Sequence, residues 1–397
     1  MSANEAFMPS YHDNDIVCGD KQVWGEGEYR SILDNEPRIG FKRSVLGGLV
    51  RCFYKANIIL GDILGEGGNG TVLSCHFTDP HNLDDVFPTT YAIKLSRHAH
   101  EEWDSFEGEC ENLEALSRLA PDCIVPYVGR VYDGRHIEQE EQEPDQGRRV
   151  GPPPIAGIVL QYMPHGDFGS VLSLLARKYA FSARGAPHPE VARFYVVDLL
   201  MKLYGIHQAG YYHGDVKLEN MMMTADGRIL LADFGTAGVD CRDNWSEGVG
   251  AALPLMAPEL FTYIFDDLPV EKYVGLRRPS DLWSAGIILY LLMFGRTPYT
   301  GRSDAEIYRS LNNFIFEQRW TEIDPADLLA REKWEALQFT KKLLVWHPEG
   351  RPSWDDIMND PYVHDQWVMM ERGCCKAPLV QQHDGTWMPS LEWEGLL

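Results

Sequence analysis

Positive charge is what this 397-residue chain has too little of. Lys and Arg number 36 against 59 Asp and Glu, leaving a formal net charge of −23. Such a surface is a poor counterion for phosphate backbones or anionic lipid, so nucleic-acid and membrane-surface binding are disfavoured. The same balance suits a basic protein partner, although an acidic excess more often marks only a well-solvated surface. Paired cysteines are missing too. The cysteines stand at positions 18, 52, 75, 110, 123, 241, 374 and 375, with no Cys-x-x-Cys framework, so reduced thiols and a cytoplasmic or nuclear setting are expected. The strongest apolar run, residues 287–294, falls well short of the roughly 20 residues that cross a bilayer. Met1-Ser2-Ala3-Asn4-Glu5 offers neither a basic start nor an apolar stretch, so no secretory signal is expected. Cys374-Cys375 is a chemical candidate for acylation, but nothing amphipathic flanks it, and a plain tail is expected.

What is present is an ordinary globular composition, 44% apolar and 24% charged, in a chain long enough for one large or two modest cores. Residues 1–50 are polar and weakly periodic and read as an extension, partly ordered at best. Strand-like segments follow at 57–60, 71–75 and 90–95, then at 124–132 and 155–162. Between the second and third lies a loop over 80–88. Phe106, Cys110, Leu113, Leu116 and Leu119 recur at helical spacing, and Pro121 ends that helix. The tract 136–154 combines a run of carboxylates with Arg148, Arg149 and three prolines, cannot bury apolar surface, and reads as a solvated insertion. Beyond Gly166 helices are expected at 168–179, 189–208, 279–294 and 333–346. The character changes near Met163-Pro164-His165-Gly166, and no internal repeat is visible.

Gly65-Glu66-Gly67-Gly68-Asn69-Gly70 lets backbone N–H groups approach phosphate oxygens, because no Cβ stands in the way. The rival readings are an ordinary turn and a dinucleotide fold, where a helix would follow the glycines. Thr71-Val72-Leu73 follows instead, β-branched and alternating, which favours a hairpin. Downstream, Lys94 sits beside Ala92 and Ile93 on an apolar strand, where a lysine costs desolvation unless a carboxylate or phosphate pairs with it. The bland alternative is an edge-strand lysine reaching water.

Further on come His213-Gly214-Asp215-Val216-Lys217-Leu218-Glu219-Asn220, then Asp233-Phe234-Gly235, then Ala257-Pro258-Glu259. Most single aspartates are turn residues, but two of them and an asparagine at this spacing are not. With the glycine loop and Lys94, and with Asp281 and Arg351 downstream, the chain resembles the eukaryotic protein kinase family over residues 53–364. The resemblance implies an α+β, bilobal fold: a small N-lobe of antiparallel strands plus one helix, and a larger, mainly helical C-lobe. The expected division is an extension (1–52), an N-lobe (53–163, with the insertion 134–154), a C-lobe (164–364) and a tail (365–397).

The resemblance also implies ATP and Mg2+ as cofactors and a protein Ser/Thr hydroxyl as substrate, with a basic substrate suiting the charge. Asp215 would accept the substrate proton, Lys217 would stabilise the transferred group, and Asn220 and Asp233 would hold the metal. Lys94 would hold phosphates and pair with a helix glutamate. Glu109 fits by its place between Phe106 and Leu113, whereas counting back from Ile124 lands near Glu111 or Asn112. Gly65, Gly67 and Gly70 would cover the phosphates. Val72, Ala92 and Met222 would sandwich the base, with Leu160 behind it, while backbone groups of Gln161 and Met163 read its edge and Asp167 meets the ribose. Two of Met221-Met222-Met223 are expected to be core filler. Glu259 would pair with Arg351, and Asp281 would brace the catalytic loop.

Lys217 is the residue usual in serine/threonine kinases. Two departures stand out. Gly214 replaces the arginine that meets an activation-segment phosphate, which implies activity independent of that phosphate. Ala252 replaces a threonine that bonds the catalytic Asp and Lys. The alternative readings are a pseudokinase acting as a partner-binding scaffold, and a small-molecule kinase of related fold. The intact Lys94, Asp215, Asn220 and Asp233 oppose the first. Ala257-Pro258-Glu259 and Asp281 oppose the second.

Overall fold

The computed structural model describes residues 16–19, 38–43, 54–67, 70–78, 89–95, 103–132, 155–179, 186–239, 253–265, 275–317, 319–381 and 387–389. The chain forms two compact units, one of Met1–Glu114 with Pro126–Tyr162 and one of Ala115–Val125 with Met163–Leu397. The insertion 134–154, Gly68, Asn69 and Ala252 lie outside the described residues.

The first unit is a sheet of seven strands: β1 (Ile16–Gly19), β2 (Arg38–Arg43), β3 (Tyr54–Gly67), β4 (Gly70–Thr78), β5 (Tyr91–Leu95), β6 (Tyr127–Tyr132) and β7 (Ile155–Gln161). Their order is β1-β2-β3-β4-β5-β7-β6, closed by a parallel seam between β1 and β6, while every other pair is antiparallel. The extension thus supplies two strands, which its weak periodicity did not suggest. One face of the sheet is core. Ile58, Leu60, Leu73, Cys75, Phe77, Ile93, Leu95, Val131 and Val159 pack together there, at the period of 2 that places alternate residues on one side.

Helix α1 (Trp103–Leu119) buries Phe106, Cys110, Leu113 and Leu116, three to four residues apart along a single stripe. Leu119 departs from the expected pattern: it ends the helix 61% exposed. The strand expected at 124–132 is also divided. Pro126 has no N–H to give a ladder, and β6 begins only at Tyr127. Ile124 instead bridges Leu231, and Val125 N donates to the Leu231 carbonyl (2.8 Å), both within the second unit.

The second unit is mainly helical. Helix α2 spans Phe168–Tyr179 and α3 spans Pro189–Gln208. Helix α3 starts on Pro189 in its first turn, capped by His188, whose Nδ1 accepts from Glu190 N (3.2 Å). Short strands β8 (Tyr211–Tyr212), β9 (Met221–Met223), β10 (Ile229–Leu231) and β11 (Gly238–Val239) form two small antiparallel pairs, β9 with β10 and β8 with β11. Then come α4 (Pro258–Phe265), α5 (Arg277–Phe294), α6 (Asp304–Phe316), α7 (Ala330–Leu343), α8 (Trp354–Met358) and α9 (His364–Glu371), and a last hairpin of β12 (Leu379–Gln381) with β13 (Trp387–Pro389).

Helices α3 and α5 are buried almost all round, the mark of central helices. Helix α5 closes on the end of α7 because Gly286 lets Leu343 and Leu344 approach: a Cβ there would lie 2.9 Å from both side chains. A second core gathers Met256, Leu260, Phe261, Trp283, Ile287, Tyr299, Leu311 and Phe314. Helix α7 lies three residues earlier than the expected 333–346, since Leu344 already leaves helical geometry (ψ 48°) before Pro348.

Candidate active site

In the sheet unit, pairing registers place Val72 opposite Lys94, and Ala92 opposite both Ser74 and Leu160. Val72, Ala92, Lys94 and Leu160 therefore share one face, opposite the face on which Leu73, Ile93 and Val159 form the core. Lys94 is buried, and its Nζ donates to both carboxylate oxygens of Glu109 on α1, at 2.9 and 2.7 Å. Phe106 lies under the ammonium, 5.8 Å from centroid to nitrogen. The desolvation that an apolar strand imposes on a lysine is thus offset by a buried, bidentate carboxylate. Glu111 is exposed, so of the two candidates Glu109 makes the pair. Gly65 pairs with Val72 and Gly67 with Gly70, so the glycine segment closes a hairpin and no helix follows it. That removes the dinucleotide alternative.

The helical unit holds the other candidates. Asp215 is buried, and its Oδ2 accepts from Lys217 Nζ and from Asn220 Nδ2 (3.1 Å). The same amide donates to the Asp215 carbonyl (2.8 Å), so Lys217 and Asn220 converge on one residue. The loop is fixed from behind by Asp281 on α5. One carboxylate oxygen accepts from His213 N (2.8 Å) and meets His207 Nε2 (2.9 Å), and the other accepts from Gly214 N (2.9 Å). His213 itself is fully buried. Its Nε2 faces the Ala232 carbonyl (3.1 Å) and its Nδ1 accepts from Asp215 N (3.2 Å), which assigns the ring proton to Nε2.

Asn220 and Asp233 stand at the two ends of the β9–β10 hairpin. Ala232 N donates to the Asn220 carbonyl (2.9 Å), which returns the chain beside its start. Asp233 holds a left-handed backbone (φ 63°), rare for a residue with a Cβ and a sign that its surroundings dictate its aim. Among the described residues no three His, Cys, Asp or Glu side chains gather as a metal cage. An amide and a carboxylate suit magnesium, which keeps several waters and takes its remaining oxygens from phosphates. Met221 and Met223 are fully buried, whereas Met222 is half-buried and bridges Asp167.

Asp167 also carries a duty the sequence did not disclose. Its two carboxylate oxygens accept from Ser170 N (2.9 Å) and Ser170 Oγ (2.6 Å), capping α2. Gln161 ends β7, with its N–H on the Pro126 carbonyl (2.9 Å), and the Met163 carbonyl accepts from Gly166 N (3.2 Å). Glu259 and Arg351 form a buried bidentate pair at 2.6 and 2.7 Å, with the guanidinium also reaching the carbonyls of Pro279 and Val345. One support was missed altogether. Asp198, fully buried on α3, accepts from Arg228 Nη2 (2.7 Å) and Ile229 N (2.9 Å) and so anchors β10. A carboxylate inside Val196-Val197-Asp198-Leu199-Leu200 was the available signal, because a buried charge needs partners.

Residues 59–363 match the family model described as protein kinase domain. The chain is 33% identical over 222 residues to citron rho-interacting kinase of Rattus norvegicus, covering 51% of this chain and 10% of that protein. It is 32% identical over 210 residues to serine/threonine-protein kinase MRCK gamma of Homo sapiens, covering 52% of this chain and 12% of the relative. With serine/threonine-protein kinase CHK1 of Mycosarcoma maydis the identity is 31% over 198 residues, covering 48% and 27%. The chain therefore spans only a minor part of these relatives' lengths.

Proposed function

The chain belongs to the protein kinase family, and from that premise we propose that it is a serine/threonine kinase moving the γ-phosphate of ATP onto protein hydroxyls. The observation that carries the proposal is the buried Asp215 with Lys217 and Asn220 bonded to it, on a loop whose backbone N–H groups are pinned by Asp281. A carboxylate so held can take a hydroxyl proton, and the adjacent ammonium can meet the charge on the transferred group. Magnesium, when bound, neutralises charge across the β- and γ-phosphates, and Asn220 and Asp233 are the residues to hold it. Lys94, kept in place by Glu109, is assigned to the phosphates together with Gly65, Gly67 and Gly70. The base is assigned to Val72, Ala92, Leu160 and Met222, with the backbones of Gln161 and Met163 at its edge and Asp167 at the ribose.

Lys217 and the similarity to serine/threonine-protein kinases MRCK gamma and CHK1 support the serine/threonine class. The charge of −23 supports basic protein substrates, and the lack of a Cys-x-x-Cys framework supports a cytoplasmic or nuclear setting. Gly214, which offers no guanidinium, supports activity without an activation-segment phosphate. Phosphatase treatment should leave turnover unchanged. Loss of turnover, with a phosphosite mapped between Gly235 and Ala257, would reverse that part.

The deciding experiment is magnesium-dependent transfer to a generic basic protein. Asp215→Ala should lower kcat at least about a hundredfold, the scale of losing a positioned base, while nucleotide affinity stays within about twofold. Asp233→Ala should instead weaken magnesium-dependent ATP binding. Wild-type turnover in Asp215→Ala would discard the base assignment. A wild-type chain that binds Mg·ATP and transfers nothing would replace catalysis with the partner-binding reading.

A further inference from the structure

The family match ends at residue 363, yet the chain continues into the core of the helical unit. Helix α9 buries Trp367 and Met370, and Arg193 of α3 fixes its approach by donating to the carbonyls of Tyr362 (2.6 Å) and Pro361 (3.3 Å). Beyond it Gln366 Nε2 donates to Cys375 Sγ (3.1 Å), and Ala377 and Leu379 are 2% and 0% exposed. Leu379 lies on one particular turn. That turn joins β9 to β10 through Thr224 and Gly227, with Gly227 N on the Thr224 carbonyl (2.9 Å) and Arg228 N on Thr224 Oγ1 (3.0 Å).

Gly227 has φ 79°. A Cβ there would stand 1.8 Å from the Leu379 carbonyl oxygen and 2.8 Å from the Ala377 side chain. The backbone of Leu379 also comes up to the buried Tyr195 hydroxyl on α3, without closing an aligned hydrogen bond. No side chain other than hydrogen fits between this segment and the turn.

We propose that residues 377–379 are a positioning element of the active site, a strap seated on the β9–β10 turn through Gly227 that holds the two ends of that hairpin, Asn220 and Asp233, in metal-binding register. The reasoning is mechanical. The hairpin is three residues long on each strand and would be marginal alone. Its open end carries the two metal candidates, where Ala232 N bonds the Asn220 carbonyl, Val125 N bonds the Leu231 carbonyl and His213 Nε2 faces the Ala232 carbonyl. Asp198 and Arg228 hold one strand to α3, and the strap covers the turn between the strands. The fit of Leu379 and Ala377 against Gly227 then reaches the site through the hairpin: loosening the turn loosens Asn220 and Asp233 at the far end. The magnesium consequence rests on the kinase reading above, whereas the docking itself does not.

A double-mutant cycle in the full chain tests both. Gly227→Asn accepts the left-handed backbone but adds the obstructing Cβ, and Leu379→Asp undoes the contact from the other side. Each single variant should raise the magnesium concentration for half-maximal ATP binding and transfer about tenfold, the scale of a lost outer-shell partner, with kcat at saturating magnesium nearly unchanged. The double variant should be no worse than either single one. Amide exchange across residues 221–231 should speed up in all three, and Leu379→Ala should act in the same direction, more weakly.

Wild-type exchange over 221–231 in Leu379→Asp or Leu379→Ala would overturn the docking. Effects that multiply in the double variant would do the same, since Gly227 would then serve only its own turn. Faster exchange with an unmoved magnesium requirement would overturn the positioning role. A chain that transfers no phosphate at all removes the kinase reading, but the exchange data still decide whether the strap is seated.

Discussion

At Gly214 the backbone is left-handed (φ 83°), and a Cβ would stand 2.6 Å from the Thr236 carbonyl oxygen. Thr236 Oγ1 in turn donates to the His213 carbonyl (3.2 Å), so the contact sits within the loop that carries Asp215. A side chain at position 214 would therefore have to displace backbone. Gly214→Ala should cost about 1–3 kcal/mol, the range for a strained backbone position, and lower Tm by about 2–4 °C per kcal/mol. An unchanged melting curve would mean that the loop relaxes around the methyl group. The sequence displayed the glycine but not its reason, because φ and Thr236 are facts of tertiary structure. The partner of Lys94, by contrast, was legible. At 100° per residue, Glu109 lies about 60° from Phe106 and Glu111 about 140° away on the other side. Counting back from Ile124 misled because a 3-10 turn, Pro121–Cys123, intervenes.

The elements were legible wherever periodicity and capping agreed. Segments 168–179 and 189–208 are helices with those limits, because each has a buried stripe and a clear start. The start of α3 makes a pH-dependent prediction. Burial holds the His188 ring below its ordinary value of 6.5, with nearby Glu190 and Glu332 opposing and Lys333 reinforcing the shift. Neutral Nδ1 accepts the Glu190 N–H, and a protonated ring cannot. The unfolded chain thus binds the proton more readily, so the cap is intact above about pH 6.5 and weakens as pH falls below it. Between about pH 7 and pH 5 the wild type should lose up to about 1 kcal/mol relative to His188→Asn, whose cap does not titrate. Parallel pH profiles from thermal melts of the two proteins would refute this. The short helices α8 and α9 escaped the sequence reading because a single turn or two carries too little periodicity.

Taken whole, the molecule combines an excess of 23 negative charges with a site assigned to transferring phosphate to a protein. Long-range attraction of that kind is screened within about 8 Å at physiological salt. For a basic peptide substrate KM should rise about threefold or more between about 50 and 300 mM salt, while an uncharged peptide should show no trend. Equal salt response of the two would assign the charge to solubility alone. The strand-then-helix order was readable along the chain. The membership of residues 115–125 in the helical unit was not, since it depends on Val125 bonding to Leu231 across a long stretch of sequence.

Asp281 has a consequence for how the protein is made. His213 and Gly214 precede by 68 and 67 residues the carboxylate that receives their N–H groups. On the ribosome, the segment bearing Asp215 must wait for α5 to emerge before it can take its working shape. A chain stalled or cleaved before that point would carry the whole His213–Asn220 motif without the carboxylate that pins its first two N–H groups, and its working shape would wait until synthesis had passed it.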